Sequence, residues 1–426
     1  MTKVGLAVHR TFHSFHSRNF RLFFAGQFVS VTGTWMQSVA TAWLVLQLTH
    51  SGTALGIVTG LTFAPALLIG AWSGLIADRF DKRKVLIATQ SAAAILAVAL
   101  WVPVAFGTVS LSFVYVIALL NGIVTALDNP TRQSFYAEMV GPKDIPNAVS
   151  LNSAVMTGTR IVGPAIAGII IATHGVGPVF LVNAISYIAV IGGLLAMRPS
   201  ELHRTGAVER GRGQVREGLR YVMDRPVLRD TLALMGVIFL FSFNFSVLLP
   251  LMAERTFGGG AHTLGWLFSS MGVGSLAGAL LAAAKPRHSF RKLAIFGVLT
   301  GIAIAASAVA PTRDWALITL ALVGFTSITF MISGNSALQL SSSDQMRGRV
   351  MALYATVFLG STPFGATLSG WVGEHLGPRT AMAGAGVIAI GASAVALILL
   401  RRMKSRRVAR TAPETEVTGV PQPVSV

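Results

Sequence analysis

The chain has 426 residues and a formal net charge of +18, yet only 12% of its residues are charged and 53% are hydrophobic. A soluble domain carries about 25% charged residues, and a nucleic-acid binder with this pI of about 11.4 would spread its Lys and Arg over a polar surface. The mean hydropathy of +0.66 and apolar runs long enough to cross a bilayer exclude an ordinary cytosolic enzyme, a disordered chain and a disulfide scaffold.

An all-α membrane protein is therefore expected, and twelve transmembrane spans are predicted in chain order. They are 22–48, 52–77, 85–106, 110–131, 148–172, 178–197, 231–252, 262–284, 293–310, 315–338, 351–373 and 380–400. A barrel would show alternating segments of about ten residues instead. The basic, His-rich residues 1–21 precede an apolar run too long for a signal peptide, so that run is a retained first span. The longest polar segment, 198–230, separates a six-helix half at 1–197 from a second at 231–400. Part of this linker, 215–224, is predicted to form an amphipathic helix on the membrane surface. Residues 401–426 read as a disordered tail.

Lys and Arg alternate strictly with the loops. With the N-terminus cytoplasmic, 30 of the 34 fall on the cytoplasmic side, Arg132 among them, and only Arg255, Arg313 and Arg379 lie outside. The remaining one, Arg160, falls within span 5. Such asymmetry places both termini in the cytoplasm of a multi-pass cell membrane. It also offers a basic surface to anionic headgroups. Cys is absent, so no thiolate nucleophile or Cys-ligated metal is possible. No phosphate-binding Gly-rich loop, catalytic motif or His metal arrangement is found. No enzyme activity, metal, cofactor or nucleic-acid partner is expected.

The two halves repeat. Gly158, Gly163 and Gly168 of span 5 match Gly360, Gly365 and Gly370 of span 11, and Gly175 matches Gly377. Asn129, Gln133 and Glu138 match Asn335, Gln339 and Asp344, and Leu55-Gly56 recurs as Leu264-Gly265. Matches in the same order and in corresponding spans indicate a duplicated six-span unit, an architecture of large transporters.

The loop after span 2 reads "GLIADRFDKRK", with Gly74, Asp78, Arg79, Lys82 and Arg83. It resembles the loop signature of the major facilitator superfamily, although Asp81 stands where that family usually has Gly. Gly74 permits close helix approach, and Asp78 paired with the basic cluster can clamp the halves while the cytoplasmic side is closed. The alternative is a turn carrying ordinary loop charges. In the second half Ala282 replaces the Asp, so such a clamp is asymmetric. Span 5 reads "GTRIVGPAIAG", with Gly158, Gly163, Pro164 and Gly168. This resembles the Gly-Pro signature of the export (antiport) branch, where close packing and a Pro bend give a pivot or seal; ordinary small-residue packing is the alternative. The stretches "DNPTRQSF" and "RGRVMALYATVFLGSTPFG" are similar to bacterial drug and siderophore exporters of the superfamily.

An ionisable group inside the membrane is a functional candidate by default. Arg160 is the deep one. It is expected to pair with Asp128, to hold an anionic substrate, or to tune a carboxylate. Asp128 is a candidate proton carrier or a capping residue, because Asn129-Pro130 suggests a helix end there. The middle of span 4, 113–126, lacks the Arg that many proton-coupled relatives carry. Glu254 and Glu374 read as solvated. Because spans 1, 4, 7 and 10 commonly line the cavity in this superfamily, the resemblance implicates Gln27, Gln37, Asn121 and Asn244. It implies a secondary transporter that exports a small amphipathic molecule by proton antiport, functional as a monomer. The alternatives are an importer or facilitator, and a scaffold or sensor without transport.

Overall fold

The computed structural model describes residues 13–203, 214–284 and 289–411, without the side chains of 71–72, 74–78, 214–215, 283–284 and 401–411. The described residues contain helices and no strand. The first half is α1 (Arg18–Thr49), α2 (Gly52–Arg79), α3 (Lys82–Ala105), α4 (Leu111–Val140), α5 (Ile145–His174) and α6 (Gly177–Leu195). A linker helix (Gln214–Met223) follows. The second half begins with a broken α7 (Pro226–Ser242, then Phe245–Leu251) that ends in a π-helical turn at Met252–Thr256. It continues with α8 (Ala261–Ala284), α9 (Phe290–Ala308), α10 (Arg313–Ser341), α11 (Asp344–His375) and α12 (Pro378–Thr411).

Among the described residues, eleven segments are long and apolar enough to cross a membrane. The twelfth, α1, has the length but not the hydropathy. It carries Gln27, Ser30, Thr34, Gln37 and Thr41 along the face that lines the interior cavity. Its polar character thus reflects what it faces rather than a failure to span. Lipid-facing positions are apolar: Ile95, Ile188 and Val387 are each more than 60% exposed.

Local signals explain the helix ends. Ser17, Asp81, Ser110, Ser289 and Thr312 each cap a helix by accepting from the backbone N–H three residues on, each worth about 1 kcal/mol. The caps of α3 and α9 correspond across the halves, as do those of α4 and α10. The repeat therefore extends to helix starts. Gly175 and Gly377, paired by the repeat, both sit at positive φ (79° and 91°) just past α5 and α11, where a side chain would be strained.

Three expectations change. Span 4 does not stop near 131; α4 continues through Pro130 to Val140. Pro130 lacks the N–H that would reach the Ala126 carbonyl, yet the helix runs on, as membrane bundles tolerate. Residues 401–411 are not tail but the end of α12, a run of Arg, Lys, Met and Ala with good helix propensity; 412–426 lie outside the described residues. The linker helix does not simply rest on a membrane surface. It docks on the second half: Val222 is buried, Glu217 pairs with Arg349, and the Ser343 amide donates to the Tyr221 hydroxyl at 3.0 Å.

The apolar core shows how the halves meet. We call the end carrying Lys82, Arg83, Arg198 and Arg347 the basic end, and the opposite end the far end. One buried cluster at the far end draws on both halves, from Leu46 and Leu55 to Leu249, Leu264 and Leu320. Toward the basic end it divides into a cluster confined to the first half (Phe20, Phe135, Leu194) and one confined to the second (Phe239, Leu293, Phe330). The molecule is closed at the far end and parted at the basic end.

Candidate functional site

Two helix crossings and a polar clasp make the closure. Where α2 crosses α11, a Cβ on Gly56 would lie 2.8 Å from the Thr367 Cα, and one on Gly370 would lie 3.3 Å from the Gly56 Cα. Where α5 crosses α8, a Cβ on Gly168 would lie 3.1 Å from the Gly265 Cα. Gly56 and Gly265, like Gly168 and Gly370, are pairs picked out by the repeat. The duplicated glycines are therefore the contact points of two symmetry-related crossings. Gly163 packs α5 on α1, with 2.6 Å from an added Cβ to the Trp35 Cβ. Pro164 is buried, and its carbonyl would be 2.8 Å from a Cβ on Gly265. Gly158, nearer the basic end, faces open space. The α5 glycines thus seal at the far end and part toward the basic one.

The clasp lies over the crossings. His50 Nδ1 meets Glu254 Oε1 at 2.9 Å. The Glu374 carboxylate accepts from the Ser51 hydroxyl and the Thr53 amide, each at 2.8 Å. Arg255 donates to the Glu374 carbonyl at 3.0 Å and to the His50 carbonyl. Glu254 and Glu374 are therefore not free solvated charges, as their positions suggest, but fasten one half to the other.

Below the closure is a cavity of about 400 Å³, built largely by the first half. Gln27, Gln37 and Asn121 line it, and Ser246 and Leu359 from the second half reach it. Asn244 does not. It sits at the break in α7, where its side-chain amide donates to the Leu240 carbonyl at 2.8 Å. An Asn that satisfies a broken helix is not free to meet a solute.

At the cavity wall, Asp128 and Arg132 form an i,i+4 ion pair with side chains only 4% and 14% exposed. The Asp128 carboxylate also accepts from the Thr89 hydroxyl (2.8 Å) and the Gln90 amide (2.7 Å) of α3. The Gln27 amide oxygen, turned to the guanidinium, accepts from Arg132 Nε at 3.2 Å and from Nη1. Three helices thus converge on one pair. Reading Asn129-Pro130 as a helix end hid it, since Arg132 was then assigned to a loop. The available signal was the Asp-x-x-x-Arg spacing, which puts both side chains on one helix face. Helix α4 does carry a buried Arg, nearly two turns beyond 113–126.

Arg160 is not the partner of Asp128, which pairs with Arg132. Its guanidinium lies over the Trp35 ring, 4.8 Å from the centroid. The basic loop is seen here with the basic end parted, whereas the clamp is expected with that end closed. Lys82 is buried and pairs with Glu138 at 2.6 Å. Arg83 donates to the Leu194 (2.6 Å) and Leu195 (3.0 Å) carbonyls at the end of α6, and Arg79 is exposed. Lys82 and Arg83 thus brace the first half internally while the basic end is open. The side chains of Gly74 and Asp78 lie outside the described residues.

Residues 9–421 match the family described as transmembrane secretion effector. The chain belongs to that family, within the major facilitator superfamily. It is 25% identical to the enterobactin exporter EntS of Escherichia coli O6:K15:H31 over 409 residues, 94% of this chain and 95% of the exporter. It is 27% identical to the staphyloferrin A transporter of Staphylococcus aureus over 270 residues, 61% of this chain and 66% of the transporter. Solved structures share the fold. A bacterial homologue of the human lysosomal transporter Spinster, inward-facing and unoccupied, superposes with a TM-score of 0.73 at 15% identity, covering 93% of this chain and 99% of that one. A peptide transporter POT gives 0.74 at 13% identity, covering 90% and 94%. This secretion-effector family member is thus a multi-pass membrane transporter of small molecules with the major facilitator fold.

Proposed function

We propose that this transporter exports a small amphipathic, siderophore-like or drug-like compound across a bacterial cell membrane by proton antiport. Its termini and basic end face the cytoplasm and the anionic headgroups there, and the single chain is the working unit. The observation that carries this reading is one cavity sealed at the far end and bounded by the buried Asp128–Arg132 pair. Enterobactin export and staphyloferrin A transport by two relatives support the export of siderophore-like solutes. The Lys/Arg asymmetry supports the orientation.

Coupling follows from the chemistry of the pair. An ionised carboxylate only accepts hydrogen bonds, whereas a protonated one must donate. Donors on Thr89, Gln90 and Arg132 already converge on Asp128. A proton arriving there displaces one of them; Arg132 has Gln27 and Asn129 as further acceptors, and the Thr89 hydroxyl has the Leu86 carbonyl at 3.1 Å. Proton binding thereby loosens a contact between α1, α3 and α4 and biases the halves toward the other state, where solute is released and the cycle continues.

Reconstitution tests this reading. In liposomes containing a pH dye, amphipathic solutes and siderophores should move protons with wild-type protein. Asp128→Asn should abolish solute-dependent proton movement yet still exchange solute across the membrane. Gradient-driven accumulation that survives in Asp128→Asn would contradict Asp128 as the carrier, and its absence in wild type would contradict antiport.

A further inference from the structure

The interior charges of the first half do not cancel. Asp128 is matched by Arg132, and Glu138 by Lys82. Arg160 is left. Among the described residues it makes no ion pair or hydrogen bond, and its one polar-group contact is the face of Trp35. That ring is part of the cavity wall, as is Met156, one turn before Arg160 on the same helix. A cation on an aromatic face gains roughly 0.5–2 kcal/mol. Arg160 is only half-buried, so its guanidinium stays within reach of a ligand that enters from the parted side. Stacking on a ring uses the guanidinium face and leaves its in-plane N–H donors to an anion.

We propose that the solute supplies that anion: Arg160, held on Trp35 at the edge of the transport cavity, is its charge-recognition point, and the exported compound carries a carboxylate. This rests on the export reading above and names its substrate class. Three features of the site point the same way. A guanidinium offers a planar fork that matches a carboxylate with two parallel hydrogen bonds. The carboxylates of the described interior are both occupied by their own cations and so leave Arg160 to the solute. The remaining wall combines apolar groups such as Phe63, Leu100 and Leu359 with uncharged donors and acceptors such as Gln37 and Asn121. Such a wall accepts an aromatic or aliphatic body with hydroxyl or amide groups, and it has no spare acid to attract an amine.

The position also suits a transport cycle. Arg160 lies on α5 between Gly158, which faces open space, and Gly163, which is packed on α1 beside Trp35. Its backbone carbonyl is 3.4 Å from where a Cβ on Gly272 of α8 would stand. The guanidinium is therefore at the boundary between the sealed and the parted portions of the interface. A carboxylate bound there sits at the level where the halves pivot and is reachable from the basic end.

The test compares matched solutes that differ only in charge: 1-naphthylacetate, its neutral amide 1-naphthylacetamide, and 1-naphthylethylamine. Flux is measured in everted membrane vesicles with wild-type protein, Arg160→Gln and Arg160→Lys. Wild type should move the carboxylate at least tenfold faster than the amide or the amine. Arg160→Gln should erase that preference while still moving the amide, which also shows that the variant is folded. Arg160→Lys should retain the preference in part, because the charge remains without the fork. Equal wild-type flux of all three solutes, or a carboxylate preference unchanged in Arg160→Gln, overturns the proposal and leaves export standing. No wild-type flux of any of the three overturns the export reading, and this inference with it.

Discussion

Arg132→Met should destabilise the transporter by about 3–5 kcal/mol, because it strands a buried carboxylate without its cation. Asp128 is 2% exposed, and Thr89 and Gln90 cannot replace the lost charge. Replacing both partners should cost far less. In Asp128→Leu/Arg132→Met the two charges disappear together, and the orphaned Thr89, Gln90 and Gln27 border a cavity that admits water. The double variant should therefore lie within about 2 kcal/mol of wild type, a coupling that a double-mutant cycle isolates. Denaturation midpoints in detergent measure all three proteins. A cost below about 1 kcal/mol for Arg132→Met, the range of an exposed pair, would mean that water reaches the site freely and would remove its claim to couple proton and solute.

Gly370→Val should shift the molecule away from the state described here. A Cβ at Gly370 lies 2.9 Å from the Gly52 carbonyl carbon and 3.3 Å from the Gly56 Cα. Both are backbone atoms, which cannot turn aside as a side chain can. Overpacking of this kind costs about 1–3 kcal/mol. Here the cost falls only on the closed far end, because the crossing joins α11 to α2 of the other half. The cores at the basic end of each half, around Phe135 and Phe330, do not involve it. The variant should therefore fold and should populate the far-end-open state about 5–150-fold more than wild type. A Cβ at Gly158 would meet nothing within 4 Å, so Gly158→Val is the matched control, expected to leave the equilibrium unchanged. Accessibility of a far-end cysteine to a membrane-impermeant reagent reports the shift, and equal labelling of Gly370→Val and wild type would contradict it.

The sequence made the bundle legible because membrane spans and loop charges are strong, one-dimensional signals. The repeat was legible for the same reason, since glycines at fixed offsets survive where helices must touch. What those glycines touch was not visible, because a crossing involves residues hundreds of positions apart, as with Gly56 and Gly370. The site was legible only in part. Gln27, Gln37 and Asn121 were recognised as polar residues in spans that face the interior. Arg132 was misplaced because Pro130 looked like a stop, whereas in this membrane bundle α4 runs on through it to Val140. Asn244 failed for the converse reason. A polar residue inside a span can satisfy its own backbone, and a sequence does not distinguish that from facing a solute. Glu254 and Glu374 looked like loop charges, yet their partners come from the opposite half.

In the proposed cycle the two halves rock about the cavity, with the far end closed while the basic end is open. The chain has no Cys, so spin labels can be placed without removing native thiols. Labels at Thr108 and Trp315 report the far end, and labels at Ser150 and Gln345 report the basic end; all four positions are exposed. Distances are measured by pulsed electron spin resonance in lipid vesicles, with and without Gly370→Val. Rocking predicts that the variant lengthens the far-end distance and shortens the basic-end distance together. Two distances that stay fixed, or that lengthen in parallel, would contradict it.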